Sequence, residues 1–276
     1  EEKVRDYRKI LNQNEVFREY GTGNFKDLLI AVSQDPAMLA FLDAGVNIKG
    51  SPNENFAREI MELFTMGVGN YSEQDIREAA RAFTGWNYSD LQFVVNTEEH
   101  DTSDKTFLGR TGAWDGLDII DMILEKRVTA EYISGKIYKF FVRENITPQL
   151  QKELGATLYS SGYEITPLLE KIFLSKDFYS SASMGTHIKS PVELVISTYK
   201  KLGLDIIPGV PDFFDTTKSL GQILLFPPTV AGWAGGRSWI TPGLLLARGN
   251  FVYDTVFPNI NFLPSDRYPE NYQIGV

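Results

Sequence analysis

Glu59 and Glu62 sit one helical turn apart and are the first residues of this chain whose type and spacing could do chemistry. Two carboxylates on one helical face can share a metal ion or divide into acid and base. Glycoside cleavage is the most concrete reaction for such a pair. Asn55 and Arg58 fall on the same face, since positions 55, 58, 59 and 62 are three, four and seven apart. There they would orient a bound group. The same four residues read equally well as a solvated face carrying an Arg58–Glu62 pair worth a few tenths of a kcal/mol.

A second polar group follows at Glu98, Glu99, His100, Asp101 and Asp104. Histidine exchanges protons near neutral pH, and imidazole with carboxylates can ligate a divalent cation. His100 is thus a candidate acid or ligand, His100 with Asp101 a candidate metal pair, and Asp101 and Lys105 candidate binding groups. The spacing matches neither an EF-hand nor a zinc motif, and a plain polar loop accounts for it as well. His187 has no such company and reads as structural or exposed. All four tryptophans lie beside glycines: Trp86, Trp114, Trp233 and Trp239. Trp86, Trp233 and Trp239 could stack on sugar rings, or each could plug a loop onto the core. The stiff aromatic run from Pro227 to Trp239 is placed to wall a pocket.

The elements that must position these groups are mostly helical. Asn53 can cap a helix opening at Glu54, with Phe56, Ile60, Leu63 and Phe64 on its apolar face and Gly67 and Gly69 ending it. Ser72 and Asp75 open the next helix, which carries Ile76, Ala79, Ala80 and Phe83. Further helices are expected over 24–33, from Pro36, over 115–125, from a Thr129 cap to about 142 with Phe140 and Phe141 inside, and over 149–160, 167–174, 191–202, 213–225 and 244–256. The exception is a small β-hairpin insert around 88–108, where 90–96 alternates and Lys105–Leu108 offers a partner strand. The expected fold is all-α, a single helical domain over 1–256. Residues 257–276, rich in Pro, Asn, Asp and Tyr, read as an extended tail on its surface.

The block from Pro52 to Trp86, PNENFAREIMELFTMGVGNYSEQDIREAARAFTGW, resembles the signature of the bacterial family called domain of unknown function 1800. The resemblance continues through Asn24–Leu29, Asp35–Leu39, His100-Asp101 with Lys105–Gly109, Lys189–Glu193 and Pro227–Trp233, in that family's order. It implies a helical domain from an exported bacterial protein, periplasmic or at the cell surface, often encoded beside a second exported family. It supplies no reaction and no catalytic residues. Many members carry His where this chain has Phe64, so a base or ligand at that position is missing here.

Composition narrows the classes. The chain has 276 residues, 43% of them hydrophobic, enough for a full core. Its net charge of −9 disfavours nucleic acid and anionic membrane surfaces, both of which need a basic face. No run approaches the roughly 18 apolar residues of a membrane helix. With no cysteine there are no disulfides, no thiolate metal sites and no cysteine nucleophile. The nucleophile elbow, the H-E-x-x-H helix, the Walker A loop and the dinucleotide-binding glycines are missing as well. The chain opens on Glu1 without a leader and reads as part of a longer precursor.

Three functions fit these residues. One is a scaffold or partner-binding protein of the cell envelope, its partner a co-exported protein. Another is a hydrolase of envelope or extracellular polysaccharide, using the paired carboxylates and His100 where the first signature helix meets the 98–104 loop. The third is a divalent-metal-binding module. No organic cofactor is expected; a divalent cation is the one candidate. Glu59→Ala separates a solvated face from a buried one: solvation keeps the unfolding free energy within about 0.5 kcal/mol, whereas a buried pair loses more than about 2 kcal/mol. Urea denaturation of the two proteins measures the difference.

Overall fold

The computed structural model describes residues 3–204 and 212–257. Twelve α-helices and two small antiparallel hairpins make it mainly helical, as expected. Its contacts gather into two compact units, Glu1–Met184 and Gly185–Val276. The anticipated tail lies, from residue 258 onward, outside the described residues.

In the first unit, α1 (Tyr7–Tyr20) opens the chain behind an Asp6 cap. This helix is absent from the sequence expectation because it is polar and buries no residue. α2 (Phe25–Ser33) starts where Asn24 accepts from the Lys26 amide. α3 (Pro36–Phe41) starts where Asp35 accepts from the amides of Ala37 and Met38, with Pro36 supplying the fixed φ of a first helical position. Gln13 of α1 also donates to Asp35 at 2.8 Å, which ties the first helix to the third.

α4 (Asn55–Glu62) is preceded by Asn53, whose side chain accepts from the Asn55 amide at 2.9 Å. It ends a turn before the glycines that were expected to stop it. The amides of Phe64 and Met66 reach back five residues, to Glu59 and Met61, and the Thr65 hydroxyl takes the Ile60 carbonyl at 2.6 Å. These bonds replace the regular ladder and let the chain widen out of the helix. α5 (Glu73–Ala82) follows behind the Ser72/Asp75 capping box.

The insert is two hairpins rather than one. β1 (Trp86–Ser89) pairs with β2 (Gln92–Val95) in the register Trp86↔Val95, turning through Asp90 at φ 53°. β3 (Lys105–Phe107) pairs with β4 (Arg110–Gly112), not with the 90–96 strand as expected. Leu108 and Gly109 turn this second hairpin with φ of 47° and 83°, the two-residue turn whose twist suits antiparallel neighbours. A partner one turn away was therefore available, and the longer-range pairing was not needed.

α6 (Gly116–Leu124), α7 (Arg127–Phe141), α8 (Pro148–Ser160) and α9 (Ile165–Phe173) complete the unit. α7 begins at Arg127, ahead of the expected Thr129 cap. Thr129 is fully buried and gives its hydroxyl to the Ile123 carbonyl. Phe140 and Phe141 were expected in the core, but they are 63% and 44% exposed. The buried face of α7 runs through Ile133, Ser134, Tyr138 and on to Val142, and Phe140 and Phe141 lie off that face.

The centre of this core is aromatic. Phe56 of α4, Phe83 after α5, Trp86 of β1 and Phe93 of β2 meet largely edge to face, with successive centroids 5.0–5.1 Å apart. Gly116, the first residue of α6, packs against the rings of Trp86 and Phe83, and a Cβ at that position would run into both.

The second unit holds α10 (Pro191–Lys201), α11 (Phe213–Ser219), a 3-10 turn at Gly236–Ile240 and α12 (Pro242–Val256). Its small core comprises Val195, Tyr199, Leu220 and Phe251. α11 stops at Ser219, short of the expected 225, because Gly221 takes φ 96° and breaks the helix.

Phe83→Ala should cost about 3–5 kcal/mol, since it empties the middle of the aromatic cluster. Gly116→Val should cost at least about 2 kcal/mol through overpacking against the same rings. Urea unfolding followed by tryptophan fluorescence measures both.

Candidate functional site

All four polar residues of the α4 stripe are half-buried. The Asn55 side-chain amide donates to the Leu42 carbonyl at 3.0 Å. Arg58 bonds Glu54 at 3.0 Å and both oxygens of Glu73 at 2.8 and 3.1 Å. The expected Arg58–Glu62 pair is not formed, because Glu73, at the start of α5, offers Arg58 a bidentate partner. Glu62 instead accepts from the Tyr71 hydroxyl at 2.9 Å. The Glu59 carboxylate has no hydrogen bond or ion pair among the described residues. Burial, then repulsion from Glu62, pushes its carboxyl above the usual range against a smaller pull from Arg58. Lacking a partner, Glu59 is the residue whose removal should leave stability nearly unchanged.

The His100 loop sits elsewhere. The His100 Nδ1 lies 2.9 Å from the Thr84 carbonyl. A carbonyl oxygen only accepts, so Nδ1 carries the proton and donates. The next residue, Asp101, is 8% exposed and accepts from Arg81 Nε at 2.8 Å and from the Ser103 amide at 3.0 Å. Its own amide donates to the Thr84 hydroxyl at 2.8 Å. Arg81 further binds Glu78 at 2.7 Å and Ser103 Oγ at 2.6 Å. Lys105 is 1% exposed and donates to the carbonyls of Asp101 and Ser103. Glu78 and Asp75 also accept from the amides of Thr106 and Leu108, at 3.1 and 2.8 Å. The whole set clamps the second hairpin onto α5. Burial alone would raise Asp101, but the Ser103 hydrogen bonds and then Arg81 outweigh it and hold the carboxyl well below the usual carboxylate range.

The expected meeting of Glu59 and Glu62 with His100 is therefore not made. The α4 stripe engages the start of α5 through Glu73, and His100 engages the chain just past its end through Thr84. Eleven residues at about 1.5 Å each put roughly 16 Å of helix axis between the two anchor points. The expected His100–Asp101 metal pair is likewise not assembled: Asp101 is committed to Arg81 and Ser103, and among the described residues no group of three or more His, Asp or Glu is placed to hold a metal ion.

The tryptophans divide. Trp86, 4% exposed, belongs to the aromatic core, and Trp239, 6% exposed, is buried in the second unit. Neither presents a face for a sugar. Trp233 is half-buried in the second unit, and Trp114 is half-buried with its indole N–H given to the Arg110 carbonyl at 3.2 Å. His187 is exposed and reaches Glu193 at 3.4 Å.

What the sequence reading missed is a groove in the first unit. A cavity of about 390 Å³ opens among α1, α2, α3, α4 and α7. Phe17, Leu28, Val32, Phe41, Phe64 and Ile133 are among its lining residues, and only Gln13 and Lys136 bring polar side chains to it. A second lobe of about 300 Å³ continues past Phe25, Leu28, Ile133 and Lys136 toward α9. Lys136 Nζ donates to the Leu63 carbonyl at 3.0 Å, beside the Tyr132 hydroxyl at 3.3 Å from the same oxygen. Burial pushes the Lys136 ammonium below the usual lysine range. The signal for this groove lay in single apolar residues on polar helices, such as Phe17 on α1, and in Phe64, which was read as ordinary core.

The chain, itself mainly helical, belongs to the family described as "Protein of unknown function (DUF1800)", whose match spans residues 1–271. That match agrees with the resemblance carried by the Pro52–Trp86 block. No curated protein and no solved structure matches the chain. No helix among the described residues is long and apolar enough to cross a membrane.

Asp101→Ala should cost about 2–3 kcal/mol by uncoupling Arg81 and the hairpin. Because the folded-state pKa of Asp101 is lowered, its contribution is complete above the ordinary carboxylate pKa and is lost as pH falls. The gap between wild type and Asp101→Asn should therefore hold steady from about pH 6 to about pH 5 and shrink progressively as the pH falls below about 4, down to about pH 2. Denaturation midpoints across that range, at constant ionic strength, measure it.

Proposed function

We propose that this chain is a binding protein of the bacterial cell envelope, exported with its partner system, and that the apolar groove of its first unit is where it takes hold of its ligand. The observation that carries this reading is the groove itself: about 390 Å³, within the range of small-molecule sites, and lined almost wholly by apolar side chains. The candidate acid–base groups support it from the other side. Arg58, Glu62, Asp101 and Lys105 are engaged in bonds within the protein. Apolar side chains left open to water at this scale are an unfilled binding surface more readily than a catalytic one.

A hydrolase reading keeps one specific support, the partnerless Glu59 with its raised carboxyl beside Glu62, the pattern of a general acid. It predicts cleavage of an envelope polysaccharide that disappears in Glu59→Gln.

The binding reading predicts that the protein takes up an uncharged environment-sensitive naphthylamine dye at one saturable site. Leu28→Glu and Phe64→Glu each place a charge in the groove at half-buried positions. Each should weaken dye binding at least about ten-fold, because the guest must then desolvate a carboxylate. Circular dichroism should show an unchanged helical content in both. Fluorescence titration reads the binding, and an absence of saturable uptake by the wild type overturns the reading.

A further inference from the structure

The proposed groove is not uniformly apolar. Lys136 lines both of its lobes, together with Phe25, Leu28 and Ile133. It therefore stands where the two lobes join. Its chemical situation differs from that of Gln13, the other polar side chain of the larger lobe. Gln13 donates to Asp35 at 2.8 Å, so its amide nitrogen is occupied. Lys136 makes one hydrogen bond, to the Leu63 carbonyl, lies 5.3 Å from the centroid of the Tyr132 ring, and has no ion pair with a carboxylate among the described residues. An ammonium has three N–H donors. One is taken and the others are open to the groove. The Leu63 carbonyl is also held by Tyr132, so Lys136 is not needed to satisfy it.

A cation without a counter-ion, set into the wall of an apolar trough, is complementary to one class of guest. That guest carries an anion at one point and hydrocarbon over the rest of its length. An uncharged hydrocarbon would cover the ammonium and strip its water without replacing it, which is costly. A polyanion would bring further charges against apolar walls with nothing to meet them. A single carboxylate satisfies the ammonium with a charge-assisted hydrogen bond while the chain fills the lobe. Lys136 is exposed, but a snorkelling lysine sends its head group out into bulk water, whereas here the ammonium is turned back onto the Leu63 carbonyl at 3.0 Å.

We infer that the groove binds a long-chain carboxylic acid, with the carboxylate on Lys136 and the hydrocarbon tail in the larger lobe. This rests on the groove being the binding site proposed above. The tail would lie along Leu28, Val32, Phe41 and Phe64.

The test is isothermal titration of the full chain with linear saturated carboxylic acids from eight to fourteen carbons, and with the primary alcohols of the same lengths, below their micelle-forming concentrations. The expected result is one site, tightening by about four-fold per added methylene until the lobe is full. Each acid should bind at least about ten-fold better than its alcohol. Lys136→Met should abolish that preference and leave the alcohols unchanged or tighter. Lys136→Arg should restore it. If acids and alcohols bind equally and Lys136→Met changes neither, the groove is a ligand site but the carboxylate assignment is overturned. If neither series binds while the naphthylamine dye still does, the groove is a ligand site and the carboxylic-acid assignment alone is overturned; if the dye fails as well, the groove reading falls with it. If acids bind with a preference that Lys136→Met leaves intact, the carboxylate is held elsewhere and the assignment is again overturned.

Discussion

Phe56, Phe83, Trp86 and Phe93 come from a helix, a helix end and two strands, and they meet ring to ring at about 5 Å. Edge-to-face contact demands specific orientations, so this cluster fixes how α4, α5 and the first hairpin sit on one another. Gly116 then sets how closely α6 can approach, because only a residue without Cβ fits against the two rings. Once this junction is made, the positions of the polar side chains follow. Arg58 is delivered to the start of α5, and the loop from Asn96 to Lys105 is delivered to its far end.

That delivery explains why residue types suited to catalysis are spent on architecture. A hairpin of three-residue strands cannot stand alone. β3 and β4 are held by the α5 carboxylates of Glu78 and Asp75, which accept backbone amides, and by Arg81, which gathers Asp101, Ser103 and the Asp104 carbonyl. Buried charge is tolerated here because almost every lone pair and proton has a partner. The cost of such a network is paid in sequence freedom, and its members look from the sequence like an active site. The groove shows the opposite case: its walls are side chains of the commonest apolar types, carrying no motif.

Much of the fold was legible. Asn24, Asp35, Asp115 and Ser72 announce helix starts because their short side chains can take a free amide, and each does so. The helical class and the β insert followed from periodicity alone. The strand pairing was misjudged because alternation marks a strand but not its partner, and the Leu108-Gly109 turn was overlooked. α1 escaped because it is polar overall and has no fully buried residue, so its few apolar side chains, Ile10 and Phe17 among them, did not mark a core face. The polar site candidates were correctly singled out as unusual. Their bonding could not be foreseen, since Arg58 meets Glu73 rather than Glu62 only through the tertiary packing of two helices. The groove was illegible for a deeper reason. Spacing within one element reveals a face, whereas a cavity is the space several elements leave between them.

Lys105 carries a consequence of another kind. Its amine is sealed under the second hairpin, 1% exposed and held by two carbonyls of its own loop. It is out of reach of any reagent while β3 and β4 stay docked on α5. Its covalent capture by an amine-reactive label thus acts as a clock. The rate counts how often the hairpin lifts from the helix, and its excess over the rate of global unfolding is the share of openings in which the core beneath stays folded.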